Sequence, residues 1–205
     1  MGDRPPSGPL FTRSALCPRM YEVEVKVRAD HGAVRAALDE QDADRVDAVV
    51  QEDTYYDAPH RDFAETDEAL RVRREHDIET DASEATARIT YKGPLLEAES
   101  KSREEHETGV DDGETAAAVF EGLGFEPAAT VRKEREHYRL DGYTVTLDSV
   151  DGLGEFVEVE TETADDDIEA AREGAQDVLQ SLNLDPAEQI RTSYLGLLLA
   201  EDAGE

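Results

Sequence analysis

The sequence predicts an α+β domain of about eight strands and three or four helices. Three observations predict it. Several segments alternate apolar with charged residues at the two-residue period of a pleated strand. Between and after them lie amphipathic stretches with helical spacing, which need an apolar surface to cover. Turn signals such as Gly93-Pro94, Gly142-Tyr143 and Asp151-Gly152 punctuate the alternation at hairpin spacing.

The elements follow in order. Met20 to Arg28 sets Val23, Val25 and Val27 on one face against Glu22, Glu24, Lys26 and Arg28 on the other. His31 to Gln41 carries Val34, Ala37 and Leu38 at helical spacing behind Asp30, a suitable N-cap. Asp47 to Asp57 is β-rich and ends at Ala58-Pro59, and Ala69 to Glu75 alternates Leu70 and Val72 with Arg71 and Arg73. Asp77 to Ala85 reads as a hairpin loop, Thr86 to Lys92 as a strand, and Lys101 to Val110 as a charged alternating segment. Glu114 to Leu123 is a short helix closed by Gly124. Ala129 to Leu140, Thr144 to Val150 and Glu155 to Thr163 are three consecutive strands. An acidic amphipathic helix, Asp165 to Leu182, and a short one, Ser193 to Leu199, complete the chain.

Composition narrows the function classes. Asp and Glu number 51 against 21 Lys and Arg, for a formal charge of -30. Such acidity argues against nucleic-acid or anionic-membrane partners, which need basic patches. Only four cations are lysines, Lys26, Lys92, Lys101 and Lys133, the pattern of a salt-in halophile surface. Cys17 is the single cysteine, which excludes a disulfide framework and a Cys-based zinc site. No apolar run approaches the ~20 residues of a membrane span. Residues 1–19 are rich in Pro, Gly and Arg and read as a disordered extension, or as a segment ahead of a start at Met20. The domain is expected over residues 20–200 with a tail at 201–205, in the cytoplasm.

The polar faces of the strands form a constellation. They offer Glu22, Glu24, Lys26 and Arg28, then Arg71 and Arg73, Arg88, Thr90 and Lys92, and Arg103, Glu105 and Glu107. Lys133 and Arg135, Asp148, and Glu158 and Glu160 follow. Two architectures fit. Either the apolar faces make the core and the charges face water, or the apolar faces lie under the helices and enclose a charged interior. The second gives the amphipathic helices something to cover. It requires a ligand with many negative charges together with a divalent cation, because unpaired buried charge is prohibitively costly. Glu22, Glu24, Asp148, Glu158 and Glu160 are hard oxygen donors suited to Mg²⁺ or Mn²⁺. Lys26, Arg71, Arg73, Lys92, Lys133 and Arg135 would clamp phosphoryl oxygens, arginine as a fork and lysine as a point charge. The five histidines share no ligand spacing and read as structural or surface residues.

These residues resemble a known family. Glu22-x-Glu24-x-Lys26 resembles the ExExK motif of the CYTH superfamily, which includes class IV adenylyl cyclases and thiamine triphosphatase. The resemblance continues through Asp53-Thr54-Tyr55-Tyr56-Asp57, Leu70-Arg71-Val72-Arg73, Thr90-Tyr91-Lys92-Gly93-Pro94 and Arg103-x-Glu105-x-Glu107. It extends through Val131-x-Lys133-x-Arg135, Leu147-Asp148-x-Val150, Gly152-Leu153-Gly154-x-Phe156-Val157-Glu158-Val159-Glu160 and Ser193-Tyr194, and so covers nearly the whole domain. The Tyr-Lys-Gly-Pro and Gly-Leu-Gly-x-Phe elements look most like the CyaB-type cyclase branch. The resemblance implies an eight-stranded antiparallel closed barrel, a triphosphate tunnel with helices packed outside. Lys26, Arg28, Arg71, Arg73, Lys92, Arg103, Lys133 and Arg135 would hold a triphosphate-containing small molecule. Glu22, Glu24, Asp148, Glu158 and Glu160 would hold Mg²⁺ or Mn²⁺, with Glu22, Glu24 and Lys26 at the centre of catalysis.

Three functions are compatible with this constellation. A cyclase would convert ATP to cyclic AMP and pyrophosphate by attack of the ribose 3′-hydroxyl on the α-phosphorus. A triphosphatase would direct water at the terminal phosphoryl group of thiamine triphosphate, a nucleoside triphosphate or inorganic tripolyphosphate. A non-catalytic module would only bind a triphosphate. Branch resemblance favours the cyclase. Homodimerisation is left open by the sequence.

Overall fold

A computed structural model describes residues 20–79, 85–94, 104–164 and 167–202 of the chain. The strands are β1 (Met20–Arg28), β2 (Asp44–Asp57), β3 (Ala69–Asp77), β4 (Thr86–Lys92), β5 (Glu105–Val110), β6 (Glu126–Leu140), β7 (Tyr143–Val150) and β8 (Gly154–Ala164). The helices are α1 (His31–Glu40), the single turn α2 (Phe63–Thr66), α3 (Gly113–Gly122), α4 (Ile168–Ser181) and α5 (Tyr194–Asp202). A 3-10 turn, Pro186–Glu188, lies between the last two. The turn α2 and this 3-10 turn were not expected. The expected hairpin loop lies mostly outside the described residues.

All eight strands form one antiparallel sheet in the order β1-β8-β7-β6-β2-β3-β4-β5. The sheet curls until the Lys92 ammonium on β4 lies 3.4 Å from the Glu22 carboxylate on β1. Among the described residues the edges β1 and β5 share no backbone pairing. The expected closed barrel is therefore a curled half-barrel here, with a seam bridged by side chains. Among the described residues β5 is six residues long and gives the edge of β1 little to pair with.

Alternation dictates which face each residue takes. Val23, Val25 and Val27 are all buried on the convex face of β1. There α1 and α4 set Val34, Leu38, Val178 and Leu179 against Val25, Val145, Leu147, Val157 and Val159. Each such side chain contributes about 1.5 to 3 kcal/mol by leaving water. A second cluster seats α3 and α2 on Tyr56, Leu70 and Val72. Local signals fix the helix ends. Asp30 accepts a 2.8 Å hydrogen bond from the Ala33 amide, as its cap position requires. Gly124, at φ 89°, closes α3 with bonds from its own amide to Glu121 and from the Phe125 amide to Phe120.

Helix α5 departs from the expected arrangement. It packs not outside but against one end of the concave face, where Tyr194 joins Val131, Val150, Leu153 and Phe156. The interior is thus charged along its length and apolar where α5 meets it.

Candidate functional site

The concave face encloses a cavity of about 1170 Å³. The antiparallel register sorts its charges. On β1 and β8, Glu24 sits opposite Glu160 and Lys26 opposite Glu158. Cations project from β3, β4 and β6, with Arg71, Arg73, Arg88, Lys92, Lys133 and Arg135 all lining the cavity. Carboxylates predominate on β1 and β8, beside Lys26, and cations predominate on β3, β4 and β6, although Glu75, Glu105 and Glu107 also line the cavity.

The basic wall is held by internal counter-ions. Asp53 receives 2.7 Å bonds from both Nε and Nη2 of Arg73, and Arg71 approaches it at 3.4 Å. Burial raises the Asp53 pKa, but these guanidiniums outweigh it and hold the carboxyl well below the usual range. Asp148 is fully buried. It accepts a two-pronged bond from Arg135, one arm at 2.6 Å, and a 2.9 Å bond from the Tyr194 hydroxyl. Arg135 also donates to Glu158 at 2.6 Å. Arg71 is different, because its buried Nε has no hydrogen-bond partner. A buried orphan donor in a cavity wall is a place for an acceptor to arrive.

Two of the lysines, Lys26 and Lys133, are held more loosely. Lys26 has Glu24 at 3.4 Å and Glu158 at 3.5 Å. Burial depresses its pKa, but those two carboxylates raise it above the ordinary lysine value. Lys133 has Asp148 at 3.6 Å. Burial, then the Arg135 charge, push its pKa down to about 8. Lys92 lies between Glu105 at 2.9 Å and Glu22 at 3.4 Å.

The acidic wall suits a hard divalent cation in its chemistry. Glu22, Glu24, Glu158 and Glu160 all line the cavity from two paired strands. Burial, followed by repulsion from Glu22, Glu158 and Glu24, raises the Glu160 pKa to about 7, opposed by Arg135. A cation would offset that repulsion. No three His, Cys, Asp or Glu side chains among the described residues are already converged to metal-binding geometry. Ligation would therefore require side-chain rotation.

The expected residues are placed unevenly. Glu22, Glu24, Lys26, Arg71, Arg73, Lys92, Lys133, Arg135, Glu158 and Glu160 meet in one cavity. Asp148, expected as a metal ligand, is contacted in this structure by Arg135, Tyr194 and Lys133. Arg28 is outside the lining. It donates to the Leu153 carbonyl at 2.6 Å and lies over the Phe156 ring, tying β1 to the turn between β7 and β8. Arg103 lies outside the described residues. Sequence reasoning gave no role to Asp53, although its alternation places it on the same face as its register partner Arg73. It also set aside His137, which lines the cavity and pairs through Nδ1 with Asp47. Its signal was its place two residues beyond Arg135 on the same face.

Fold and site together define a curled antiparallel sheet whose concave face carries both cations and carboxylates. The CYTH domain family model matches residues 20–194, and the chain belongs to that family. A Methanocaldococcus jannaschii protein named as a candidate adenylate cyclase is 37% identical, over 87% of this chain and 98% of its own length. Adenylate cyclase CyaB of Aeromonas hydrophila is 27% identical, over 85% and 86%. A solved Pyrococcus horikoshii structure superimposes with a TM-score of 0.80 at 36% identity, over 88% of this chain and 99% of that one. A Hippeastrum protein, described as a candidate adenylyl cyclase with a dominant triphosphatase activity, shares the fold. Its TM-score is 0.64 at 18% identity, over 89% and 96% of the two chains.

Proposed function

We propose that this chain is a cytoplasmic, divalent-metal-dependent enzyme acting on a triphosphate, of class IV adenylyl cyclase type, converting ATP to cyclic AMP and pyrophosphate in a high-salt interior. The observation that carries the reading is the pairing of walls. Arg71, Arg73, Lys92 and Lys133 face Glu22, Glu24, Glu158 and Glu160 across one cavity, with the Arg71 Nε unpartnered. Names borne by two relatives favour the cyclase.

Phosphoryl and nucleotidyl transfer need charge neutralisation and in-line positioning more than a covalent catalyst. Mg²⁺ or Mn²⁺ held by Glu22, Glu24, Glu158 and Glu160 would acidify the attacking hydroxyl and neutralise the polyphosphate. The chain's own residues supply the rest. Arg71 and Arg73 present a preorganised guanidinium pair, braced by Asp53. Lys26, Lys92 and Lys133 stabilise charge as it moves onto the departing pyrophosphate. Arg135 is locked to Asp148 and Glu158 and sets the position of Glu158.

Hydrolysis at the terminal phosphoryl group would use the same clamp. The activity named for the Hippeastrum protein makes it the second reading. One experiment separates the two. Purified protein in molar KCl with Mg²⁺ or Mn²⁺ is given ATP, thiamine triphosphate and tripolyphosphate in separate reactions. Cyclic AMP with pyrophosphate is expected from ATP, whereas orthophosphate release identifies a hydrolase. Glu24→Ala should abolish turnover, and an undiminished rate in that variant would contradict the site.

A further inference from the structure

We infer that Tyr194 is a positioning residue, whose aromatic ring seats the ammonium groups of Lys26 and Lys133 at the cavity without adding a negative charge that would repel phosphate. The inference rests on the triphosphate reading above and assigns a part of the site that reading does not use.

The geometry around the ring is specific. The Lys26 Nζ lies over it at 4.3 Å from the centroid and the Lys133 Nζ at 5.1 Å. Both distances are within cation–π range, and both lysines are buried. The ring is itself fixed at both ends. Its hydroxyl donates to Asp148 at 2.9 Å, and Phe156 meets it edge-on at 5.0 Å. Tyr194 is the first residue of α5, so the helix that enters the concave face delivers the ring.

A ring and a carboxylate stabilise a buried ammonium differently. A carboxylate occupies a donor and adds a negative charge that repels an incoming phosphate. The ring attracts the cation through its quadrupole, occupies no N–H in a strong bond and adds no net charge. The distances fit this division. Arg135, tied to carboxylates at 2.6 Å, is committed. Lys26 and Lys133 have carboxylates only at 3.4 Å or beyond. Both lysines are buried, both have their carboxylates at long range, and both sit over Tyr194.

The test replaces position 194 with phenylalanine and then with phenylalanines carrying one, two and three ring fluorines. Fluorination drains the ring quadrupole while nearly preserving shape. Tripolyphosphate is titrated calorimetrically without divalent metal, so that no turnover intervenes, and Tm is read for each protein. Tyr194→Phe should bind within about threefold of wild type, because the ring is kept. Affinity should then fall stepwise with fluorine number, by about tenfold across the series, at little-changed Tm. Tyr194→Leu should lose at least as much, and its loss should shrink in a Lys133→Met background. A flat fluorine series overturns the role of the ring. Wild-type protein that binds no tripolyphosphate, or any other triphosphate, overturns the functional reading itself, an outcome visible before any variant is made.

Discussion

Lys133 is a buried ammonium beside an arginine, and burial together with the Arg135 charge lowers its pKa from 10.5 to about 8. Between those values the unfolded chain binds the proton and the folded chain does not, so this group makes stability rise with pH. A bound polyanion favours the charged form and reverses the bias. Triphosphate binding at pH 8 to 9 should therefore take up a proton, read by calorimetry in buffers of different ionisation heat. Lys133→Met should abolish the uptake; an unchanged value would place the proton elsewhere. Asp53 has the opposite sense. Its carboxyl is held low by Arg73 and Arg71, so its contribution is complete above the unfolded value and is lost as pH falls through the folded one. Asp53→Ala leaves two largely buried guanidiniums without their shared counter-ion and should cost about 3 kcal/mol in urea unfolding. At this scale the sequence was legible wherever alternation alone decided. It located Glu22, Glu24 and Lys26 correctly on one face. It could not tell that Asp148 pairs with Arg135, because that depends on the two being register partners on neighbouring strands.

Helix α4 shows the same divide between elements. Its apolar spacing was legible, and Ala171, Ala175, Val178 and Leu179 are its buried residues. The role of Gly174 was not, since helix propensity alone makes glycine there a defect of about 1 kcal/mol relative to alanine. A Cβ at that position would lie 2.0 Å from the Tyr143 hydroxyl, which itself donates to the Ala171 carbonyl at 3.2 Å. Gly174→Ala should therefore destabilise by about 1 to 3 kcal/mol, against its propensity. A stabilised variant in thermal unfolding would show that Tyr143 moves aside freely. Helix α5 was legible as a helix, yet its placement was not. Its apolar residues cover nearly all of its circumference, a pattern that does not say which face of the sheet it meets.

For the whole molecule, alternation with amphipathic helices identified an α+β fold with an inward charged face, and register was beyond it. Order β1-β8-β7-β6-β2-β3-β4-β5 places the first strand beside the last, a long-range pairing that no local signal encodes. The formal charge of -30 makes self-repulsion a property of the entire surface. Salt screens it over about 10 Å at 0.1 M and less at higher concentration. Midpoints of thermal unfolding should accordingly climb with KCl into the molar range, and a midpoint independent of salt would contradict this. The seam between β1 and β5 has a mechanical consequence. Lys92 spans it, with Glu22 on one bank and Glu105 on the other, so among the described residues its side chain clasps the two rims. A tube with fixed walls must be threaded from an end, whereas a trough with a clasp can be loaded along its side. An extended polyanion laid into it would draw Lys92 off both banks, and filling the trough and releasing its latch become the same event.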